Sequence, residues 1–481
     1  MNKILLISLA VVLAISVGLV GCVPAEEPPT AIKIFAVRPL TGGLQTIGNY
    51  AFTPVMYYWE DKVNASGGIY VEEYGKNLTV EITIQDDESN IDYMVGNLTA
   101  AIQSGDYHFV LPSVGSEFLM AAANICSAYE YVLMGAEGGC TAMEDSLSSY
   151  PYLFAMLNFS TWNQMEKLFE ILVAWQDEEI TPTPMNVYII YVADPVGYDY
   201  MNAFVDWADN YPGRFNIVGN VPVPVFTTDL EDQLAQAAGN DTHLLCSFTY
   251  PPTSLETIRD AADNGFNFNA TIVGPGGNWE FTLLPRGVGP GGVGGDLIEG
   301  VMSLGAWNEY SSPKLKKFAA DLIAFNWSVT GMGRYAMDWW GAAPYYAGLQ
   351  IFQQAIERAG TLNNNDVRAE LAAAWPGSPT NPPFSTVLGD AYFTDADGSP
   401  VPVTGTLTGG LLAKDCYAGQ IGQWQHVTEA NDWRPDGDTT SPARAKPYGI
   451  AADATEWWIL EVIDLDANNT ADGIYPKPPW P

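Results

Sequence analysis

The sequence predicts an α/β chain of two doubly wound, Rossmann-like lobes. Compact apolar runs of strand length alternate with helical segments, the pattern of βαβ units and parallel sheets. This series occurs twice, before and after the stretch around Ala155 to Asn158. At 481 residues, 47 % of them hydrophobic and 12 % aromatic, the chain can furnish the core that two large lobes need.

The first strand is Ile32 to Val37, an apolar run broken by Pro39 and Gly42-Gly43. A helical segment follows to about Asn64, and Gly67-Gly68 punctuates it. Leu78 to Ile84 alternates apolar and polar residues as a second strand, ending in Asp86-Asp87-Glu88. A helix over about Asp92 to Gln103 leads to a third strand, Phe109 to Leu111, and Ser113-Val114-Gly115-Ser116 precedes a helix over Glu117 to Tyr129. Tyr131 to Met134 is a fourth strand. The second series has strands at Val187 to Val192, His243 to Phe248 and Thr271 to Val273. Helices near Met201 to Trp207, Asp229 to Ala238 and Ser254 to Asn264 lie between them. Beyond Trp307 the texture turns helical, with Lys314 to Asn326, Tyr335 to Ala359 and Asn365 to Ala374. A Pro-rich stretch from Pro376 to Pro383 then gives way to short strands and turns over Phe384 to Gln425. Residues 431–481, dense in proline, read as an irregular extension.

The N-terminus describes export. Lys3 precedes an apolar run from Ile4 to Val20, and Leu19-Val20-Gly21-Cys22 places a cysteine directly after a small residue. That arrangement resembles the lipobox of prokaryotic lipoproteins, which implies a signal peptide over 1–21 and lipidation of Cys22. Two acyl chains on one cysteine would hold a soluble domain at a membrane. The alternative is an uncleaved spanning helix. Residues 22–30, with Pro24, Pro28 and Pro29, form a spacer.

Charge narrows the partners. With 20 Lys and Arg against 56 Asp and Glu, the net charge is −36, which repels phosphate backbones and anionic headgroups and excludes nucleic acid. Three His and five scattered Cys leave no zinc set and no Cys–His nucleophile, so no metal and no cofactor is expected. Cys126 falls late in its helix and Cys140 follows a strand at the opposite end of the layer, so the two are not expected to pair. In an exported chain N-x-S/T sequons matter, and they begin at Asn64, Asn77, Asn97, Asn158, Asn240, Asn269, Asn326 and Asn468. Their number hints at a glycosylating cell surface; plain richness in Asn and Thr is the other reading.

Several motifs fall away on inspection. Gly287-Val288-Gly289-Pro290-Gly291-Gly292 matches G-x-G-x-x-G, but it carries a proline, follows no clear strand and opens no helix. Asp464-x-Asp466-x-Asn468 starts like a calcium loop, yet Asn469 stands where glycine is needed and Tyr475 where glutamate is needed. Asp86-Asp87 after a strand suits capping better than acid–base work. No catalytic residue is assigned, and the chain is not expected to be an enzyme.

Five short motifs, taken in order, resemble type I periplasmic binding proteins of the branched-chain amino-acid class. They are Pro39-Leu40-Thr41-Gly42-Gly43, Asn64-Ala65-Ser66-Gly67-Gly68-Ile69, Asp86-Asp87-Glu88, Pro112-Ser113-Val114-Gly115-Ser116 and Gly274-Pro275-Gly276-Gly277. The Gly300-Val301 strand leading to Trp307 is also in register, and the resemblance covers roughly residues 31–430. It implies two lobes joined by three crossovers that close on a small solute and deliver it to an ABC permease with its ATPase. The lobes are then expected at 31–156 plus 305–380 and at 157–304 plus 381–430, with crossovers near Ala155 to Asn158, Leu304 to Trp307 and Gly377 to Pro383. A monomer is expected. A ligand-sensing module for signal transduction is the alternative function.

The resemblance also implies site residues. Ser116 would hold a ligand carboxylate at a helix N-terminus, where free N–H groups favour an anion; a simple capping serine is the alternative. The loop Glu137, Gly138 and Gly139 would offer backbone contacts. Tyr198 and Tyr250 would stack on the ligand from the second lobe, while Ile47 stands where relatives often place a polar or aromatic contact. Gly276 and Asn278 lie in the loop where amino-acid binders carry a Glu that pairs with the ligand's ammonium. With glycine at 276, either Glu137 or Glu280 supplies the missing acid, or the solute lacks an ammonium. The second reading is favoured: an amide, a urea-like compound or a carboxylate.

Overall fold

The computed structural model describes residues 28–156, 161–225, 227–274, 295–306, 313–330, 341–417, 420–428, 456–463 and 473–480. The expectations for Cys22, Gly276, Asn278, Glu280 and the glycine run at 287–292 fall outside these residues.

Lobe 1 is built on strands β1 (Ala31–Arg38), β2 (Ile69–Val71), β3 (Lys76–Asp86), β4 (Phe109–Leu111), β5 (Leu133–Gly135) and β6 (Leu153–Ala155). Helices α1 (Thr53–Ala65), α2 (Ile91–Ser104), α3 (Ser116–Tyr129) and the short α4 (Thr141–Asp145) intervene. Strands β3, β1 and β4 run parallel in that order, with β2 antiparallel on the outer edge of β3. Every residue of β1 except Lys33 is buried, which is why it reads as an unbroken apolar run: a parallel strand is covered on both faces.

The chain crosses over after β6 into α5 (Thr161–Asp177) and builds lobe 2 from β7 (Met185–Val192), β8 (Phe215–Val223), β9 (Leu244–Phe248), β10 (Ala270–Val273) and β11 (Val301–Ala306). Helices α6 (Pro195–Asp209), α7 (Glu231–Gly239) and α8 (Pro251–Asp263) connect them. The parallel order is β8-β7-β9-β10-β11. Successive strands therefore diverge on either side of β7 and β9, the switch point beyond whose carboxyl ends ligands settle in such sheets.

After β11 the chain returns to lobe 1, where α9 (Pro313–Thr330) packs on α1 and α10 (Ala342–Ala359) is buried along most of its length. Helix α11 (Asn364–Ala373) follows. The third crossover differs from expectation. The hairpin β12 (Phe384–Thr386) and β13 (Gly389–Ala391) rests on α10. Strands β14 (Phe393–Thr394) and β15 (Gly410–Leu412) extend the β5–β6 sheet, with β15 parallel to β6. Residues 384–412 thus belong to lobe 1, and the crossing falls between β15 and β16 (Gln420–Thr428), not at Gly377 to Pro383. Arg368 anchors this return: its guanidinium donates to the carbonyls of Pro151, Pro402 and Thr408, tying strand ends far apart in sequence.

The C-terminal segment is likewise not wholly irregular. Strand β17 (Glu456–Val462) pairs antiparallel with β16, which pairs antiparallel with β11 at the edge of lobe 2. Residues 473–480 then close on the same lobe, where the indole of Trp480 donates to the Leu297 carbonyl at 2.8 Å. Cys126, Cys140, Cys246 and Cys416 are all free thiols. Among the described residues no helix is long and apolar enough to cross a membrane.

Candidate functional site

The lobe 1 wall forms where β1, β4 and β5 end. Beyond β4 the chain runs through Pro112 to Gly115, whose φ of +109° suits glycine, and enters α3 at Ser116. Gly115, not Ser116, occupies the N-cap, so no side chain caps the opening N–H groups of α3. Beyond β5, Gly115 N–H donates to the Glu137 carbonyl at 2.9 Å. The Ser116 hydroxyl donates to the Gly139 carbonyl and accepts from the Gly139 N–H, both at 3.0 Å. Gly138 passes so close that a Cβ on it would lie 2.7 Å from the Ser116 nitrogen. The expected loop residues Ser116, Gly138 and Gly139 are therefore brought together, with the Ser116 hydroxyl turned onto its neighbour.

Glu137 lies elsewhere. Its side chain is fully buried, directed beneath the wall, where Oε1 accepts from Arg38 Nη1 at 2.8 Å and Oε2 accepts from the Ala136 N–H at 2.9 Å. Arg38 also donates to the Pro112 carbonyl at 3.1 Å and to the Tyr345 hydroxyl at the start of α10. Burial pushes the Glu137 carboxyl above its ordinary range against the pull of Arg38. Alongside, buried Asp87 accepts from the Ser113 hydroxyl at 2.5 Å and the Ser89 N–H at 2.8 Å. One arginine thus binds the ends of β4 and β5 and helix α10 into a unit. Glu137 is a strut of the wall, which removes it as the acid for a ligand's ammonium.

The lobe 2 wall is set by Asp194, which follows β7. Its Oδ1 accepts from the Gly197 N–H at 2.9 Å and caps α6, where Pro195 at the first turn needs no partner. Its Oδ2 accepts from the Tyr250 hydroxyl at 2.6 Å, so one carboxylate fixes the loops after β7 and β9. Tyr250 opens α8 ahead of Pro251-Pro252. Burial and Asp194 hold its hydroxyl well above the ordinary range, and Cys140 and Glu117 of lobe 1 act in the same direction from across the cleft. Tyr198 is 45 % exposed and stacks edge-on against Tyr191 with centroids 5.2 Å apart. Ile47 is buried in the lobe 1 core.

The walls meet at α4 and α6, where the Thr141 N–H donates to Asp199 Oδ2 at 2.5 Å. Burial and the nearby Asp199 push the Glu144 carboxyl up to about 7, with Lys414 pulling the other way. Because the folded protein holds this proton more tightly than the unfolded chain, Glu144 stabilises most below about pH 4.5, and that contribution is lost as pH rises through about 7. Glu144→Gln should therefore be more stable than the parent at pH 8, with the advantage shrinking toward pH 5. Urea unfolding at both values reads it; a variant no more stable at pH 8 contradicts the assignment. Among the described residues no group of three or more His, Cys, Asp and Glu side chains could hold a metal ion.

Sequence reasoning missed Asp194, Asp199 and Arg38. Asp-Pro directly after a strand is a capping signal that could have marked Asp194. Arg38, a lone charge ending an apolar strand, carried a hint of a buried partner.

A family model described as periplasmic binding protein matches residues 31–403. Among solved structures, the chain is similar to a branched-chain amino-acid ABC transporter protein from Silicibacter pomeroyi, so named provisionally, at 16 % identity and a TM-score of 0.62, over 94 % of this chain and 100 % of that one. It is also similar to the LivJ substrate-binding protein of Streptococcus pneumoniae in complex with isoleucine, at 15 % identity and a TM-score of 0.61, covering 82 % and 96 % of the two chains. A Rhodopseudomonas palustris solute-binding protein in complex with 3,4-dihydroxybenzoic acid matches at 15 % identity and a TM-score of 0.61, over 83 % and 94 %.

Proposed function

Because the chain belongs to the periplasmic binding protein family, we propose that it is an extracytoplasmic receptor that closes two lobes on a small polar solute and delivers it to an ABC permease and its ATPase. The observation that carries this reading is the convergence of two walls at matching switch points: the uncapped start of α3 beside Gly138 and Gly139, and the Tyr250–Asp194 pair opposite. The N–H groups of α3 would receive an acceptor oxygen of the solute, and Tyr250 and Tyr198 would cover its apolar part. A lipid on Cys22 would keep the receptor, as a monomer, at the membrane.

The charges refine the solute class. Glu117, Glu144, Asp145, Asp194 and Asp199 interact with the groups lining the cleft, and the Lys414 cation opposes them at Glu144. A solute without net negative charge, such as an amide or a zwitterionic amino acid, meets this field at lower cost than a simple carboxylate. The relatives bound to isoleucine and to 3,4-dihydroxybenzoic acid show both kinds of solute on this fold.

A solute found by thermal-shift screening, which raises the melting point by mass action, should compact the protein as the lobes close on it. Small-angle scattering with and without that solute measures this, and an unchanged radius of gyration contradicts the closing-lobe reading.

A further inference from the structure

We propose that Asn77 is a site of N-linked glycosylation and that Asn64, which carries the same kind of sequon, is not. The chain has eight N-x-S/T sequons, where random placement of its Ser and Thr among its Asn residues would give about three. The structure separates them. The Asn64 amide is consumed: Nδ2 donates to the Val80 carbonyl at 2.9 Å and Oδ1 accepts from the Val80 N–H at 2.8 Å, joining α1 to β3. Asn97 Nδ2 donates to the Asp86 carbonyl at 3.3 Å. Asn240 and Asn269 are exposed, but Thr242 and Thr271 of their sequons are buried.

Among the sequons whose side chains the structure describes, Asn77 alone offers both groups. Asn77 and Thr79 are exposed, and among the described residues the Asn77 amide has no hydrogen-bond partner. It stands near the start of β3, at the end of the sheet opposite the cleft, so a glycan there leaves solute entry open. Directly across on β2, in register with Asn77, is Tyr70, 50 % exposed on the edge strand. Facing cross-strand residues share one side of a sheet, so the tyrosine ring offers an apolar platform beside the first sugar. A sugar over this edge would also shield unpaired strand groups from other chains.

The donor is an oligosaccharide linked through phosphate to a membrane lipid. Asn77 Nδ2 forms a bond to the anomeric carbon, the bond from that carbon to the phosphate oxygen breaks, the lipid phosphate departs, and a transferase base takes one amide proton. The proposal requires the extracytoplasmic location that the family implies and no particular solute. The test is peptide mass spectrometry on the protein purified from the membranes of its source cells. The expected result is a saccharide mass on the peptide bearing Asn77 and the unmodified mass for Asn64. Asn77→Gln expressed in the same cells should lower the intact mass by one glycan and leave the melting point of the protein within about a degree. Asn77 found only unmodified, a saccharide on Asn64, or an intact mass that Asn77→Gln does not lower by a glycan would each overturn the proposal.

Discussion

Arg38→Met should destabilise the protein by about 3–5 kcal/mol, the cost of stranding a buried charge. The variant leaves the Glu137 carboxyl without its cation and the Pro112 carbonyl and Tyr345 hydroxyl without their donor. Glu137 would then hold a proton in the folded state at higher pH than in the unfolded chain. The variant's deficit should therefore be smallest at pH 5 and grow toward pH 8 as that proton is lost. Removing both partners, as Arg38→Met with Glu137→Gln, should recover much of the loss, since a buried pair is worth far less than either charge left alone costs. Urea unfolding of the two variants decides it: a single variant within about 1 kcal/mol of the parent would mean the pair does not hold the wall together.

Gly138→Ala should damage the wall through shape rather than charge. The added methyl would sit 2.7 Å from the Ser116 nitrogen and 2.8 Å from the Gly115 carbonyl carbon and the Ser116 Cα, and none of these is a flexible side-chain end. The loops after β4 and β5 must part, which breaks the two hydrogen bonds between Ser116 and Gly139 and moves the start of α3. An affinity loss of tenfold or more, about 1.4 kcal/mol, is expected for any solute that uses this wall, and calorimetry measures it. Affinity unchanged in Gly138→Ala would place the solute elsewhere.

The central strands of both lobes were legible because burial on two faces leaves a local mark. Ile32 to Val37 and Val187 to Val192 are apolar runs in the sequence and parallel strands with both faces covered in the structure. Strand β8 was not read: its residues are mostly half-exposed, and Gly219 and Pro222 interrupt the pattern. The third crossover was misplaced because β14 and β15 span two and three residues, and the sheet they join was laid down at Leu153–Ala155, far earlier in the chain. Strand β17 carries a local apolar signal in Trp457-Trp458-Ile459-Leu460, hidden by the proline-rich composition around it.

The site divides along the same line. Ser116, Gly138 and Gly139 follow strand ends in one continuous register, so a sequence reading can place them at a wall. Glu137 sits in that register too, and only the fold shows its carboxylate meeting Arg38 from a strand 99 residues away. A charge in a loop reads as solvated until its partner is found. Asp194 was missed although Asp-Pro after a strand is a capping signal, and its second oxygen reaches Tyr250 across 56 residues, a bond no spacing rule anticipates.

We expect a geometry in which one small solute is held between the start of α3 and Tyr250. It is tested most directly by calorimetry of the mature protein against leucine, valine, short amides, urea, benzoate and simple carboxylates, with Ser116→Ala and Tyr250→Ala measured beside the parent. One-to-one binding by a net-neutral member of the panel is expected. Ser116→Ala, which removes the two hydrogen bonds that hold Gly139 beside the start of α3, should weaken it about tenfold, about 1.4 kcal/mol, and Tyr250→Ala should weaken it at least tenfold. Binding that both variants leave unchanged, or tight binding confined to the simple carboxylates, would contradict it.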